Sequence, residues 1–341
     1  MSTVPPFSVV SGATVHDVLA GHEQDIVDVV ARAYTAHGRQ QTVNPPSYFL
    51  RFPDRPDSRI IALPASLGAE FAVDGIKWIS SFPANIASGL PRASAVLILN
   101  DHETGYPFAC LESSIISATR TAASAALAAD RLHEGRERPR RVTFVGTGLI
   151  ARYIHQYLSR TGWDFDTVTV YDHAPEYARG FADYVSGTGH GGTVNVLDDA
   201  ETAVRASELV VFATTAAEPH IKDVDWFAHN PTVLHISLRD LSPEIILSTT
   251  NIVDDIEHCL KAQTSPHLAE QATGDRSFID GTLYDVLEGK TEIRADRPVV
   301  FSPFGLGVLD LAVGAHVYSE ATRRGLVTPV PGFFHDLNRY A

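Results

Sequence analysis

The chain has 341 residues, 44% apolar and 20% charged, ordinary proportions for a globular protein with room for two packed domains. Its 41 acidic and 27 basic residues give a formal charge of −14, which argues against a nucleic-acid binder and confines any anion site to a few cations in a cleft. Cys110 and Cys259, the 2 cysteines, lack CxxC spacing, so the expectation is a reducing compartment without a disulfide.

The opening MSTVPPFSVV has neither the basic nor the long apolar region of a signal peptide. No apolar run reaches the ~18 residues of a membrane span. The expected protein is cytoplasmic, with no membrane partner.

Apolar residues spaced three and four apart predict one helix over 14–40. Strand-like pieces follow: SYFLRF, RIIALP, GIKWIS and ASAVLILND, then a turn at Asp101–Gly105 leading into PFACLE. The stretch 112–135, rich in alanine and ended by Gly135, predicts one long helix. The basic run GRERPRR after it reads as a solvated connection. From 141 onward strands and helices alternate: RVTFVG, GLIARYIHQYLSR, TVTVYD, APEYARGFADYV, then TVNVLD, ELVVFATT, TVLHIS, NIVDD and VVFSPFG. This rhythm predicts an α/β fold with a doubly wound parallel sheet, preceded by a mixed sheet with a flanking helix.

VTFVGTGLIA places Gly146, Gly148 and Ala151 in GxGxxA spacing between a strand and a helix. Gly146 permits the tight turn, Gly148 lets a pyrophosphate approach the backbone, and Ala151 allows close helix–strand packing. Leu149 and Ile150 open the helix and belong to the same candidate cofactor turn. Asp172 ends the next strand about 20 residues further on, where a carboxylate can hold both ribose hydroxyls. It would repel a 2′-phosphate, and His173 and Ala174 supply no arginine, so NAD(H) is expected over NADP(H). Thr214, Thr215 and Ser237 fall at carboxyl ends of strands, where the cofactor would lie. The second glycine-rich stretch, 186–193, leads into a strand and reads as a loop. No HExxH or Cys/His spacing supports a metal, and no GxSxG supports a nucleophilic serine.

Four cations sit in unusual company: Arg51 ending SYFLR, Lys77 within GIKW, Arg92 after SGLP, and Arg120 among small residues in SATRTAA. Each alone reads as a surface or salt-bridged residue. Lys77 could reach solvent, pair with a buried carboxylate, or await one on a substrate.

With these cations, the motifs GIKW, NDHETGYP, ESSIISATRTAA, FVGTGLIA, ISLRD and SPFGLGVLD run in order along the chain. The sequence thereby resembles the ornithine cyclodeaminase/μ-crystallin family. The resemblance implies a homodimer of two-domain subunits. A substrate and dimerisation domain would comprise 1–118 with the tail 316–341, and a Rossmann domain would comprise 119–315. It implies hydride exchange with NAD at an amino-acid α-carbon. Arg51 and Arg120 would clamp the substrate carboxylate, with Lys77 on the carboxylate or near the nitrogen. Asp240 would face the amine or the attacking water, and either Lys77 or Asp240 would be the acid/base.

The position of Arg92 in ornithine cyclodeaminases resembles a small polar residue, typically threonine. An arginine there would oppose a cationic δ-amine and suits extra carboxylates. RIIALP, GIKWISS, LNDHETGYPFACLESSIIS and PRAS look most similar to the diaminopropionate-forming branch. That branch cleaves a tricarboxylic N-linked glutamate with NAD+ and feeds siderophore or peptide-antibiotic synthesis. Other family activities on amino or imino acids, ornithine cyclodeamination among them, and a non-catalytic μ-crystallin-like binder remain open readings. If Lys77 waits for substrate, it should lie near Arg51 and Arg120 without a protein carboxylate within salt-bridge distance.

Overall fold

The structure, a computed structural model, describes residues 5–294 and 296–335. It divides into two units, Met1–Arg120 with Leu306–Ala341, and Thr121–Gly305. Among the described residues no helix is long and apolar enough to cross a membrane.

The first unit contains β1 (Ser8–Val10), α1 (Gly12–Leu19), α2 (Glu23–Gly38), β2 (Thr42–Val43), β3 (Tyr48–Phe52), β4 (Arg55–Leu67), β5 (Val73–Ser81), β6 (Ala93–Asp101) and β7 (Pro107–Glu112). The helix α3 (Ser114–Leu132) carries the division between the units at Arg120. The helix expected over 14–40 is two helices: Gly21, at φ +80°, turns the chain between them in a conformation open to glycine.

The second unit contains β8 (Arg141–Val145), α4 (Leu149–Arg160), β9 (Thr167–Tyr171), α5 (Pro175–Gly187), β10 (Thr193–Val196), α6 (Ala200–Arg205), β11 (Leu209–Phe212), β12 (Thr232–His235), α7 (Pro243–Leu247), β13 (Thr250–Val253), α8 (Ile256–Cys259), α9 (Ser265–Thr273), β14 (Ile279–Thr282), α10 (Leu283–Leu287) and β15 (Val299–Ser302). Back in the first unit, α11 (Gly307–Arg323) and β16 (Thr328–Pro329) complete the described elements.

The first sheet has the order β16-β1-β7-β6-β5-β4-β2, with β3 also on β4. Its pairs are antiparallel except β1 with β7. One face carries Leu67, Val73, Lys77, Leu97 and Leu99, and α11 packs on it. Gly314 makes that approach possible, since a Cβ there would stand 2.2 Å from Leu97 Cδ2. This packing brings all of α11 into the first unit, so the C-terminal border lies at 305/306 where the sequence expectation put it at 315/316. On the opposite face the row Tyr48–Ala62–Trp78–Val96 crosses four strands, with Tyr48 73% and Trp78 42% exposed.

The second sheet runs β10-β9-β8-β11-β12-β15-β13-β14, parallel throughout. Strands β8, β11, β12 and β15 read as continuous apolar runs because helices cover both faces of such a sheet. The chain winds from β8 through β9 to β10 on one side and then through β11 to β12 on the other. The carboxyl ends of β8 and β11 therefore flank a topological switch point, the usual ligand crevice of such sheets.

Candidate functional site

In the second unit the turn after β8 is built for close approach. Gly146 has φ +84°, and a Cβ on it would stand 2.8 Å from Ala213 O, so only glycine fits beside the end of β11. Gly148 caps α4 with open space where its side chain would be, and Ala151 is buried beneath the helix. The first amides of α4 are thus accessible to an anion, and Leu149 is exposed beside them with Ile150 half-buried. These residues fit a dinucleotide pyrophosphate.

Asp172 has a second task that the sequence did not reveal. Its Oδ2 accepts from Thr147 N at 2.9 Å and Thr147 Oγ1 at 2.8 Å, and Oδ1 accepts from Ala174 N at 3.0 Å. The carboxylate fixes the glycine turn as well as standing at the end of β9. The expectation that gave both oxygens to a ribose therefore needs amending.

Asp240 departs from its expected place. Its side chain is 0% exposed and cannot touch an amine or a water in this conformation. Thr214 Oγ1 and Ser237 Oγ both donate to it, and His220 Nε2 lies 3.1 Å from Oδ1. His235 Nε2 lies 3.2 Å from both Oδ2 and the Asp240 backbone nitrogen. Burial pushes the carboxyl up, but the hydrogen bonds from His220, His235 and Ser237 outweigh it and hold it well below the usual carboxylate range. Such a group is a weak base. It joins Thr214, at the end of β11, to Ser237, beyond β12. Between Ser237 and Asp240 the backbone at Leu238 takes φ +67°, an uncommon conformation for a leucine and a mark of local constraint. Thr215 is exposed next to Thr214.

In the first unit Lys77 points from β5 toward α11 and is 2% exposed. Its Nζ donates to Asp310 Oδ2 at 2.7 Å and to Ser117 Oγ at 3.2 Å. Arg120 Nε donates to Asp310 Oδ1 at 3.2 Å. The expectation of a lysine without a protein carboxylate is therefore wrong: Asp310, 0% exposed in the first turn of α11, bridges Lys77 and Arg120. An ammonium this deep needs a fixed counter-ion. Burial lowers the Lys77 pKa from 10.5 to about 8, Asp310 opposes that fall, and Arg120 adds to it.

Arg51 is not in this cluster. It is exposed on β3 with its guanidinium 5.1 Å from the Phe49 ring centroid. It pairs across the sheet with Arg59, and Arg59 with Ser81, so it shares the face of Lys77 four residues further along β5. That is a separation of about 13 Å at ~3.3 Å per residue. Arg92 Nη1 donates to Ser81 Oγ at 2.8 Å, and burial lowers its pKa. Among the described residues neither Arg51 nor Arg92 forms an ion pair.

Asp310, Arg59, His220 and His235 were not singled out from the sequence. Asp310 left one readable signal, an acid inside the apolar helix pattern GVLDLAVG.

The ornithine cyclodeaminase/mu-crystallin family model matches residues 13–325. The N-((2S)-2-amino-2-carboxyethyl)-L-glutamate dehydrogenase of Staphylococcus aureus is 30% identical over 317 residues, 90% of this chain and 93% of that protein. The crystal structure of CmnK superposes with a TM-score of 0.84 at 32% identity, covering 97% of this chain and 100% of CmnK. An archaeal alanine dehydrogenase dimer with bound NAD superposes with a TM-score of 0.84 at 25% identity, covering 96% of this chain and 100% of that one. With a family match along nearly its whole length, the chain belongs to the ornithine cyclodeaminase/mu-crystallin family.

Proposed function

We propose that the chain catalyses the NAD+-dependent oxidative cleavage of N-[(2S)-2-amino-2-carboxyethyl]-L-glutamate to L-2,3-diaminopropionate and 2-oxoglutarate. One water is consumed, and NADH and a proton are formed. The broader activity, an NAD-dependent oxidoreductase of amino-acid or imino-acid CH–NH bonds, rests on family membership and on the relatives described above. The observation that carries the finer reading is Arg92, a half-buried guanidinium with no ion-pair partner among the described residues. It suits a substrate with additional carboxylates and opposes a cationic side chain.

Lys77 and Arg120 hold the glutamyl α-carboxylate. Arg120 gives only its Nε–H to Asp310 among the described contacts, and a guanidinium has five donors, so it keeps a face for the substrate. Asp310 orients the Lys77 amine. With a pKa of about 8, Lys77 holds or releases its proton near neutral pH, as an acid/base must. It takes the proton of the bridging secondary amine, which must be neutral before its carbon is oxidised. NAD+, held at the Gly146–Gly148 turn, supplies the hydride acceptor. Water then adds to the substrate imine, and Lys77 returns a proton to the departing diaminopropionate nitrogen. Asp240, buried and saturated with donors, fixes Thr214 and Ser237 instead of transferring protons. The choice between Lys77 and Asp240 thus falls on Lys77.

A homodimer is part of the same reading. The exposed sheet face of Tyr48, Leu50, Trp78 and Val96 is a contiguous apolar surface of the kind a second copy covers.

Absorbance at 340 nm separates the reading from cyclodeamination. Mixing protein, NAD+ and the tricarboxylate should form NADH continuously. Turnover of ornithine to proline and ammonia, with no net NADH, would replace it.

A further inference from the structure

At the end of the first sheet beyond Lys77, three guanidiniums gather around Ser81. Arg51 and Arg59 are directly opposed on β3 and β4, and Arg59 is directly opposed to Ser81 on β5. Directly opposed residues of antiparallel strands share one face, with Cβ atoms about 5 Å apart, and like charges so placed repel. Arg92 enters the same group through its hydrogen bond to Ser81 Oγ at 2.8 Å. Nearby acids do not neutralise the group: Asp54 pairs with Arg55 at 3.4 Å, and Asp57 is exposed without an ion pair among the described residues. A triplet of this kind is stabilised when an anion binds it.

We propose that Arg59 is a specificity-determining residue. With Arg51 and Arg92 it forms a subsite for the glutamyl γ-carboxylate, on the same sheet face as the Lys77–Arg120 pair that takes the α-carboxylate. The inference rests on the substrate reading above and divides its cations into two groups along one sheet face. Ser81 stands four residues from Lys77 on β5, about 13 Å at ~3.3 Å per residue, and long guanidinium side chains shorten that span to the reach of a dicarboxylate. The relevant motif is the arginine opening RIIALP, whose charge would have no purpose on a half-buried strand facing another arginine.

The test is Arg59→Gln with Arg59→Lys beside it in the full chain. Arg59→Gln should raise KM for the tricarboxylate at least tenfold with kcat within about threefold, and Arg59→Lys should recover part of the loss. NADH affinity, read by its fluorescence, should stay unchanged. Binding of 2-oxoglutarate should weaken in parallel, while that of the monocarboxylate 2-oxobutyrate should not. Unchanged 2-oxoglutarate binding, or equal weakening for 2-oxobutyrate and NADH, overturns the subsite. If the wild-type chain binds 2-oxoglutarate through Arg59 but does not oxidise the tricarboxylate, the subsite stands and the substrate assignment alone falls.

Discussion

Asp310 Oδ2 accepts a hydrogen bond from Lys77 Nζ at 2.7 Å, across 233 residues of sequence and with neither side chain more than 2% exposed. The lysine is therefore held before any substrate arrives. Its partner on the protein sets how readily it gives up its proton.

That relationship predicts a pH dependence. With Lys77 as the base, kcat/KM should rise with pH through an apparent pKa of about 8. Asp310 favours the ammonium, so Asp310→Asn should move this limb to lower pH, by about 1–3 units. An unmoved limb would take Lys77 out of the proton-transfer role.

The same pair contributes to folding. Breaking a buried ion pair on one side leaves the other charge uncompensated, so Asp310→Asn should cost about 3 kcal/mol by urea unfolding. The sign for Lys77 itself is different. Its folded pKa of about 8 lies below the 10.5 of an exposed lysine, so between those values the unfolded chain binds the extra proton. This group alone then makes stability rise with pH across that window.

Arg92→Ala should lower kcat/KM for the tricarboxylate by at least tenfold and leave NADH binding within about twofold. The expectation follows from the ~1.5–3 kcal/mol of a charge-assisted hydrogen bond. Full activity in the variant would remove the residue that separates this substrate from ornithine.

Asp172→Ser should weaken NAD+ and narrow its advantage over NADP+. Because Asp172 also receives Thr147 N and Oγ1, part of the loss will come from a loosened glycine turn. Thr147→Val separates the two effects: it should weaken both dinucleotides alike. An unchanged preference in Asp172→Ser would exclude Asp172 from the ribose.

Asp240→Asn should reduce kcat/KM without moving the pH limb, because Asp240 positions Thr214 and Ser237 and carries no proton in the reaction. A shifted limb would return it to acid/base chemistry. Trp78→Glu, at the centre of the exposed apolar row, should convert a dimer to monomers in sedimentation analysis.

Local signals were readable in the sequence, and long-range pairings were not. GIKW gave a strand by its apolar neighbours, and FVGTGLIA gave a strand–turn–helix by its glycines. Lys77 carried no mark of Asp310, because nothing local links a β5 residue to the first turn of α11. Asp240 was placed correctly at the end of a strand region, but its saturation depends on His220 and Thr214, which only the parallel sheet brings to it. Arg59 was passed over because its meaning lies in the register that opposes it to Arg51. The break at Gly21 was visible as a glycine inside the apolar pattern, and periodicity on either side concealed it.

The most direct measurement uses the tricarboxylate deuterated at the glutamyl Cα. The account predicts transfer of that deuterium to the nicotinamide, with 2-oxoglutarate and reduced cofactor formed in equal amounts. Reduced cofactor without deuterium, or no reduction of NAD+ by this substrate, would contradict it.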